Sequence, residues 1–101
     1  MALTELVSTR MTTTHLRAAA EANDALTHAL VRAAARGQRP RCGDAEVAWM
    51  FLDDDPRPRA IAATYCAGCI IWQECDEVGQ HQRFGTWAGV DRTRAPGRKA
   101  A

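Results

Sequence analysis

The chain is short of large apolar side chains. Only six of its 101 residues are aromatic, and much of its 47% apolar content is alanine. A chain of this size buries a modest fraction of its surface and often needs a metal, disulfides or a partner in order to fold stably. We therefore expect at most one domain, with a stabilising element beyond the apolar core.

Targeting and membrane-spanning signals are also lacking. Residues 1–10 show no basic segment followed by an apolar core, so we expect no signal peptide. No apolar run approaches the roughly 20 residues that span a bilayer. A cytoplasmic protein without a membrane partner is expected, and thiols there stay reduced, which favours metal or redox chemistry. Two structural disulfides in a secreted protein are the disfavoured alternative.

Signatures of ordinary enzymes are missing as well. The sequence contains no Ser/His/Asp set, no glycine-rich phosphate loop and no paired-carboxylate pattern. Its three histidines have no spacing relation to the cysteines and are interpreted as surface residues, and the acidic residues 53–55 as a helix cap and solvated turn. We expect neither a catalytic residue nor a small-molecule substrate.

What the chain does have is four cysteines in one arc, Cys42-x23-Cys66-x2-Cys69-x5-Cys75. Four thiolates complete the coordination of one metal centre, so all four fit a single site. Structural zinc sites usually contain two C-x2–4-C pairs, whereas only Cys66 and Cys69 form such a pair here. Iron–sulfur clusters accept more varied spacing. The spacing therefore favours a cluster, with zinc as the alternative.

The Cys66-Ala67-Gly68-Cys69 segment has a second interpretation as a redox-active dithiol. Such dithiols usually lie in a βαβ context, and no convincing strand precedes this one. A dithiol would also leave Cys42 and Cys75 unexplained. We keep this interpretation as a secondary disulfide reductase activity of the cluster-free form.

The helical pattern predicts an all-α fold, a small bundle of short helices. A mobile arm over residues 1–14 is expected to precede an alanine-rich helix from His15 to about Arg36, stopped by Gly37. Further helices are predicted from about Pro56 to Tyr65, after a cap by the preceding Asp, and over residues 70–78. The packed face of the first helix is expected to contain Leu16, Ala20, Leu26, Leu30 and Ala34.

Three further features of the sequence predict a core segment, a turn and a charged tail. The apolar run of residues 48–52 is a natural core segment, and Trp49 and Trp72 are both expected in the core. Two glycines flank a tryptophan in the segment 83–89, which predicts a tight turn. Residues 91–101 carry a side-chain charge of +3 against −2 for the rest of the chain. A basic tail of this kind suits contact with phosphate.

The cysteine spacing, the Arg83-Phe84-Gly85-Thr86-Trp87-Ala88-Gly89 segment and the basic tail together resemble the WhiB-like transcriptional regulators of actinobacteria and their phages. The resemblance covers roughly residues 40–99, and Met50-Phe51 lies where that family often has an aromatic pair. It implies a helical fold wrapped around a [4Fe–4S] cluster, with the ligands Cys42, Cys66, Cys69 and Cys75. It also implies intramolecular disulfides in the apo form.

The same resemblance implies a transcription regulator that senses redox state or nitric oxide. Such a protein binds the C-terminal region of the primary sigma factor in RNA polymerase and contacts DNA, mainly its backbone, through the tail. The candidate partner contacts are Trp87, Gly85, Gly89, Phe84 and Phe51. The candidate DNA contacts are Arg92, Arg94, Arg98 and Lys99. Residues 1–39 would form the arm and first helix, 40–90 the cluster domain and 91–101 the tail.

Two residues depart from the family pattern. The family turn usually reads Gly-Val/Ile-Trp-Gly-Gly, so Ala88 stands in place of a glycine and is expected to hold a strained positive φ. Ile70 stands where proline commonly follows the third cysteine. Beside the iron–sulfur regulator, two other functions stay open from the residues themselves: a zinc-stapled protein-interaction module and a dithiol oxidoreductase.

Overall fold

The computed structural model describes residues 2–94, with side-chain environments from residue 13 onward. This part of the chain is mostly helical, which confirms the small helical fold predicted from the sequence. Its α-helices are α1 (Ala2–Ala35), α2 (Ala45–Ala48), α3 (Pro56–Thr64) and α4 (Trp72–Gly79). Two 3-10 helices flank α2, at Arg41–Gly43 and Trp49–Leu52. Over residues 2–94, no helix combines the length and apolar character needed to cross a bilayer.

The exception to an all-α fold is a small β-hairpin. Strand β1 (Thr86–Trp87) pairs antiparallel with β2 (Val90–Asp91), with Thr86 opposite Asp91. The segment interpreted as a tight turn is thus the turn of this hairpin. The hairpin contacts both α3 and α4, the two helices that flank three of the cysteines.

Helix α1 is longer than predicted and packs through a different face. It begins at Ala2 and so includes the segment predicted as an arm, because extending an existing helix costs far less than nucleating one. The predicted face was wrong, since Leu16 is 62% exposed. Alanine side chains let α1 approach α4 closely, and the buried positions are Ala22, Ala29 and Ala33.

The ends of the helices follow the predicted signals. After α1, Gly37 adopts a φ of +71°, and the N–H groups of Gly37 and Gln38 bond back to Ala34 and Ala33. This is the Schellman arrangement that glycine favours. At the start of α3, Asp55 accepts a hydrogen bond from the Arg57 backbone N–H at 2.9 Å. The end of α1 at Gly37 and the start of α3 at Asp55 therefore confirm the sequence prediction.

The apolar core is small and centres on Phe51. Val47, Phe51 and Ala62 are buried together, and Met50 and Tyr65 pack against them. The expectation that Trp49 and Trp72 lie in the core was wrong, because they are 56% and 46% exposed. Phe51 is the buried residue of the 3-10 helix Trp49–Leu52, and with three residues per turn Trp49 lies on a different face of that helix.

Candidate metal centre

All four cysteines line one cavity of about 330 Å³. Cys42 comes from the 3-10 helix before α2, Cys66 and Cys69 from the loop between α3 and α4, and Cys75 from α4 itself. Much of the remaining wall is apolar and includes Leu26 and Leu30 of α1, Phe51 and Leu52 of the second 3-10 helix, and Trp87 and Ala88 of the hairpin. The volume lies in the range of about 300–1,000 Å³ that small ligands and cofactors occupy. The fold therefore brings together the residues predicted as ligands.

Local chain geometry brings the last three cysteines to the cavity. The N–H of Cys69 donates to the Cys66 carbonyl at 3.1 Å, and Gly68 between them has a φ of +70°. Cys75 lies one turn into α4, where its N–H bonds to the Ile71 carbonyl at 2.9 Å. Ile71 is buried and lines the same cavity, as expected from their spacing of four.

The hairpin turn directs two backbone donors at the sulfurs. Ala88 and Gly89 connect β1 to β2, with φ values of +52° and +81°. Positive φ at both central residues is typical of a type I′ turn, and the value at Ala88 confirms the positive φ expected from the sequence. Burial raises the pKa of both thiols, and the Ala88 N–H at Cys75 and the Gly89 N–H at Cys66 each offset part of that increase.

Burial outweighs these donors and sets the electrostatics of the thiols. It raises the pKa of Cys75 to about 11, with a further increase from the other three cysteines. Partial burial in the cavity wall also raises the pKa of Cys66 and of Cys42, although Cys42 keeps an exposed surface, and again neighbouring cysteines add to the effect. These thiols stay protonated near neutral pH, unlike the activated thiolate of a dithiol oxidoreductase. A bound metal cation would reverse this preference.

The four cysteine side chains are arranged around the cavity. Across the described side chains of residues 13–94, no three His, Cys, Asp or Glu groups converge closely enough to hold one metal ion. Zinc binds sulfur at about 2.3 Å, so a zinc site draws its four sulfurs around a single atom. A cluster spreads its ligands over a larger body. Four thiols around one cavity are compatible with a polynuclear cluster.

A buried arginine fixes the hairpin to α3. Arg59 is 4% exposed, and its guanidinium lies 3.1 Å from the Asp91 carboxylate on β2. The same group donates to the carbonyls of Asp53 and Asp54 at 2.6 and 2.9 Å. Arg59 is separated from Asp91 by 32 residues. Because no local sequence pattern marks such a distant pair, the sequence analysis missed both residues.

A second ion pair fixes the hairpin to α4. Arg92, just after β2, lies 3.0 Å from Asp76 in the helix. Trp72, at the start of α4, donates its indole N–H to the Ala88 carbonyl at 3.0 Å. These contacts, together with those of Arg59, hold the Ala88-Gly89 turn against the cysteines.

Four of the five predicted partner contacts lie on the hairpin or directly before it. Phe84 is 38% exposed, whereas Gly85 is buried. Trp87 is half-buried, lines the cavity and donates its indole N–H to the Phe84 carbonyl at 2.8 Å. Gly89 is half-buried, and Phe51 is buried in the core beneath. Phe84 and Trp87 therefore offer the most side-chain surface to a partner.

Only part of the predicted DNA contact falls within the described residues. Arg92 is engaged in the ion pair with Asp76, with its side chain 21% exposed. Arg94 is exposed and free of ion pairs among the described residues. Arg98 and Lys99 lie outside the described residues, and contact of the tail with DNA stays a prediction.

The Trp72 hydrogen bond predicts a measurable loss on substitution. We expect Trp72→Phe to lower the free energy of unfolding by about 1 kcal/mol, because it leaves the carbonyl of the buried Ala88 unpaired. Trp49→Phe is the matched control. The Trp49 indole N–H also donates to a backbone carbonyl at 3.0 Å, but that carbonyl belongs to Glu46, three residues earlier, and the bond is exposed. Urea unfolding of both variants tests this, and equal losses would contradict the role of Trp72.

Comparison of the chain with protein-family models, curated proteins and solved structures finds no match. The resemblance to WhiB-like regulators therefore rests on the residues themselves: the cysteine spacing, the turn and the basic tail.

Proposed function

We propose that this protein is an iron–sulfur transcription regulator of the WhiB-like kind, which holds a [4Fe–4S] cluster through Cys42, Cys66, Cys69 and Cys75. It would bind the C-terminal region of the primary sigma factor in RNA polymerase and contact DNA. The observation that carries the proposal is the gathering of all four cysteines of the chain around one cavity. The sequence resemblance supplies the partner.

The surroundings of the cysteines support a cluster over the alternatives. Cluster sulfurs need hydrogen-bond donors nearby, and the backbone N–H groups of Ala88 and Gly89 act on two of the four cysteines. The raised pKa of Cys66 works against a thioredoxin-type dithiol. The spacing of the cysteines, with only one C-x2-C pair, favours a cluster over a single zinc ion.

The placement of the ligands suggests how sensing would reach the partner surface. Cys42 precedes α2, and the other three ligands follow α3, so coordination joins two segments of the chain. When bound, the cluster supplies a centre that oxygen or nitric oxide can destroy. Cys66 and Cys75 meet the turn that follows Trp87. Release of these ligands would remove the contacts of the two sulfurs with the turn and so loosen the packing beside Trp87, while the Arg59 and Arg92 ion pairs still hold the hairpin.

Metal analysis of protein purified without oxygen tests the proposal. We expect about four irons and four sulfides per chain with a brown visible spectrum, because four thiolates match one [4Fe–4S] cluster. Cys75→Ser should lose the iron and the binding of the sigma-factor C-terminal region. Ala67→Ser, an exposed change between two ligands, is the control and should keep both. One zinc without sulfide would overturn the proposal in favour of a structural staple.

Iron removal provides a separate prediction about folding. We expect chelation under anaerobic conditions to lower the helix content, because metal binding contributes folding free energy in so small a chain. Far-ultraviolet circular dichroism before and after chelation measures the change. An unchanged spectrum would contradict the coupling between ligand release and the partner surface.

A further inference from the structure

A second basic region lies where α1 ends and the Cys42 segment begins. Residues 25–43 contain four arginines and no acidic residue. Arg32 lies in the last turn of α1, Arg36 and Arg39 lie beyond the helix, and all three are exposed. We call these three residues the junction arginines. They form a concentration of positive charge that is separate from the C-terminal tail.

The charges of the junction arginines are not neutralised by ion pairs with the described residues. Among residues 13–94, no ion pair includes any of the three. The side-chain hydrogen bond of Arg36 goes to the neutral amide oxygen of Gln38 at 3.2 Å. By contrast, Arg92 of the tail is already paired with Asp76. Within the described residues, free positive charge is therefore denser at this junction than at the start of the tail.

The helix dipole accounts for the presence of Arg32 but not for that of Arg39. A cation in the last turn of a helix is stabilised by the negative end of the helix dipole, which accounts for Arg32. The dipole effect falls off within the last turn, so Arg39, after the Gly37 stop, gains little from it. An acid-free segment with several unpaired arginines is what contact with a polyanion requires.

The segment is also attached to the metal centre. Arg41 is exposed but engaged locally, with its guanidinium 3.1 Å from the Asp44 carboxylate and 4.8 Å from the centre of the Tyr65 ring. Pro40, Arg41 and Cys42 all line the cysteine cavity. These contacts anchor the segment and leave the junction arginines facing solvent.

We infer that Arg32, Arg36 and Arg39 form a phosphate-contact surface for duplex DNA, additional to the C-terminal tail. Arginine matches phosphate through its planar fork of donors, and such contacts position a protein on DNA without reading sequence. The inference deepens the proposed function and rests on it for the biological role of the contact. The contact itself is testable on the isolated protein.

The test is binding of the full chain to a mixed-sequence DNA duplex over a series of salt concentrations. We expect Arg36→Gln/Arg39→Gln to weaken binding about tenfold or more at low salt and to reduce the log–log salt slope by about 2, from roughly 0.9 per phosphate contact. Arg17→Gln/Arg57→Gln removes the same charge from two exposed positions elsewhere and should change the slope by less than half as much. Arg36→Lys/Arg39→Lys should keep the slope.

Each contrary result has a definite meaning. Equal weakening in both double Gln variants would overturn the inference, because net charge alone would then account for binding. The inference would also be overturned if the wild-type protein did not bind DNA, or if a junction variant lost binding to a protein partner but still bound DNA. Iron content is measured on every preparation, so absence of the cluster, which overturns the proposed function, is distinguished from failure of the DNA contact. Circular dichroism confirms that each variant is folded.

Discussion

Replacement of Arg59 by methionine is expected to lower the free energy of unfolding by about 2–4 kcal/mol. Methionine keeps much of the apolar stem but removes the guanidinium, which leaves the carbonyls of Asp53 and Asp54 without their donor and Asp91 without its ion pair. Asp91 is 36% exposed, so water recovers part of the loss on that side. Chemical unfolding at constant metal content measures the difference.

The control for Arg59 is an arginine on the same helix. Arg57 also pairs with a carboxylate, that of Asp55 at 2.7 Å, but its side chain is 87% exposed. Arg57→Met should leave stability unchanged, because an exposed ion pair contributes little. If the two variants lost equal stability, Arg59 would not be the anchor of the hairpin.

Acid titration provides an independent readout of the Arg59–Asp91 pair. Burial raises the pKa of Asp91, but hydrogen bonds from Thr93 and Arg59 outweigh it and hold that pKa below its ordinary value of 3.8. The resulting stability is present above pH 3.8 and is lost as the pH falls through the lower folded pKa. In Arg59→Met this loss at acid pH should be smaller.

Gly79→Ala is the second substitution with a large expected effect. A Cβ at Gly79, the last residue of α4, would lie 2.7 Å from the Trp87 Cβ and 3.3 Å from the Arg92 Nε. A contact of 2.7 Å between carbons forces the backbone of β1 away from the helix, and overpacking of this kind costs about 1–3 kcal/mol. We also expect weaker binding of the sigma-factor region, because Trp87 moves with the strand.

A second glycine provides the comparison for Gly79. A Cβ at Gly43 would meet no atom within 4 Å, and Gly43 has no positive φ. Gly43→Ala therefore adds a methyl group next to Cys42 without a clash and should leave stability near that of the wild type. Thermal unfolding of the two variants at equal iron content makes the comparison, and equal midpoints would show that the close approach at Gly79 is unimportant.

The cysteine centre and the helix ends could be predicted because their signals are local. Cys66 and Cys69 are close in the chain, Asp55 caps the helix it precedes, and Gly37 ends α1 where it stands. The positive φ of Ala88 was expected from the resemblance, because the family usually has glycine at this position. Trp49 and Leu16 show the limit, because which face of a helix is buried depends on what packs against it.

The sequence by itself determined the set of four cysteines, the helical class and the uneven charge, since each follows from residue chemistry and short-range backbone preference. The tertiary structure alone decided which elements bring Cys42 to the same cavity as Cys75, and that the Ala88-Gly89 turn lies against Cys66 and Cys75. The tertiary structure also decided that Arg59 pairs with Asp91 and so fixes the hairpin to α3. These contacts join residues far apart in the chain, so they depend on how α3, α4 and the hairpin pack, which no local pattern encodes.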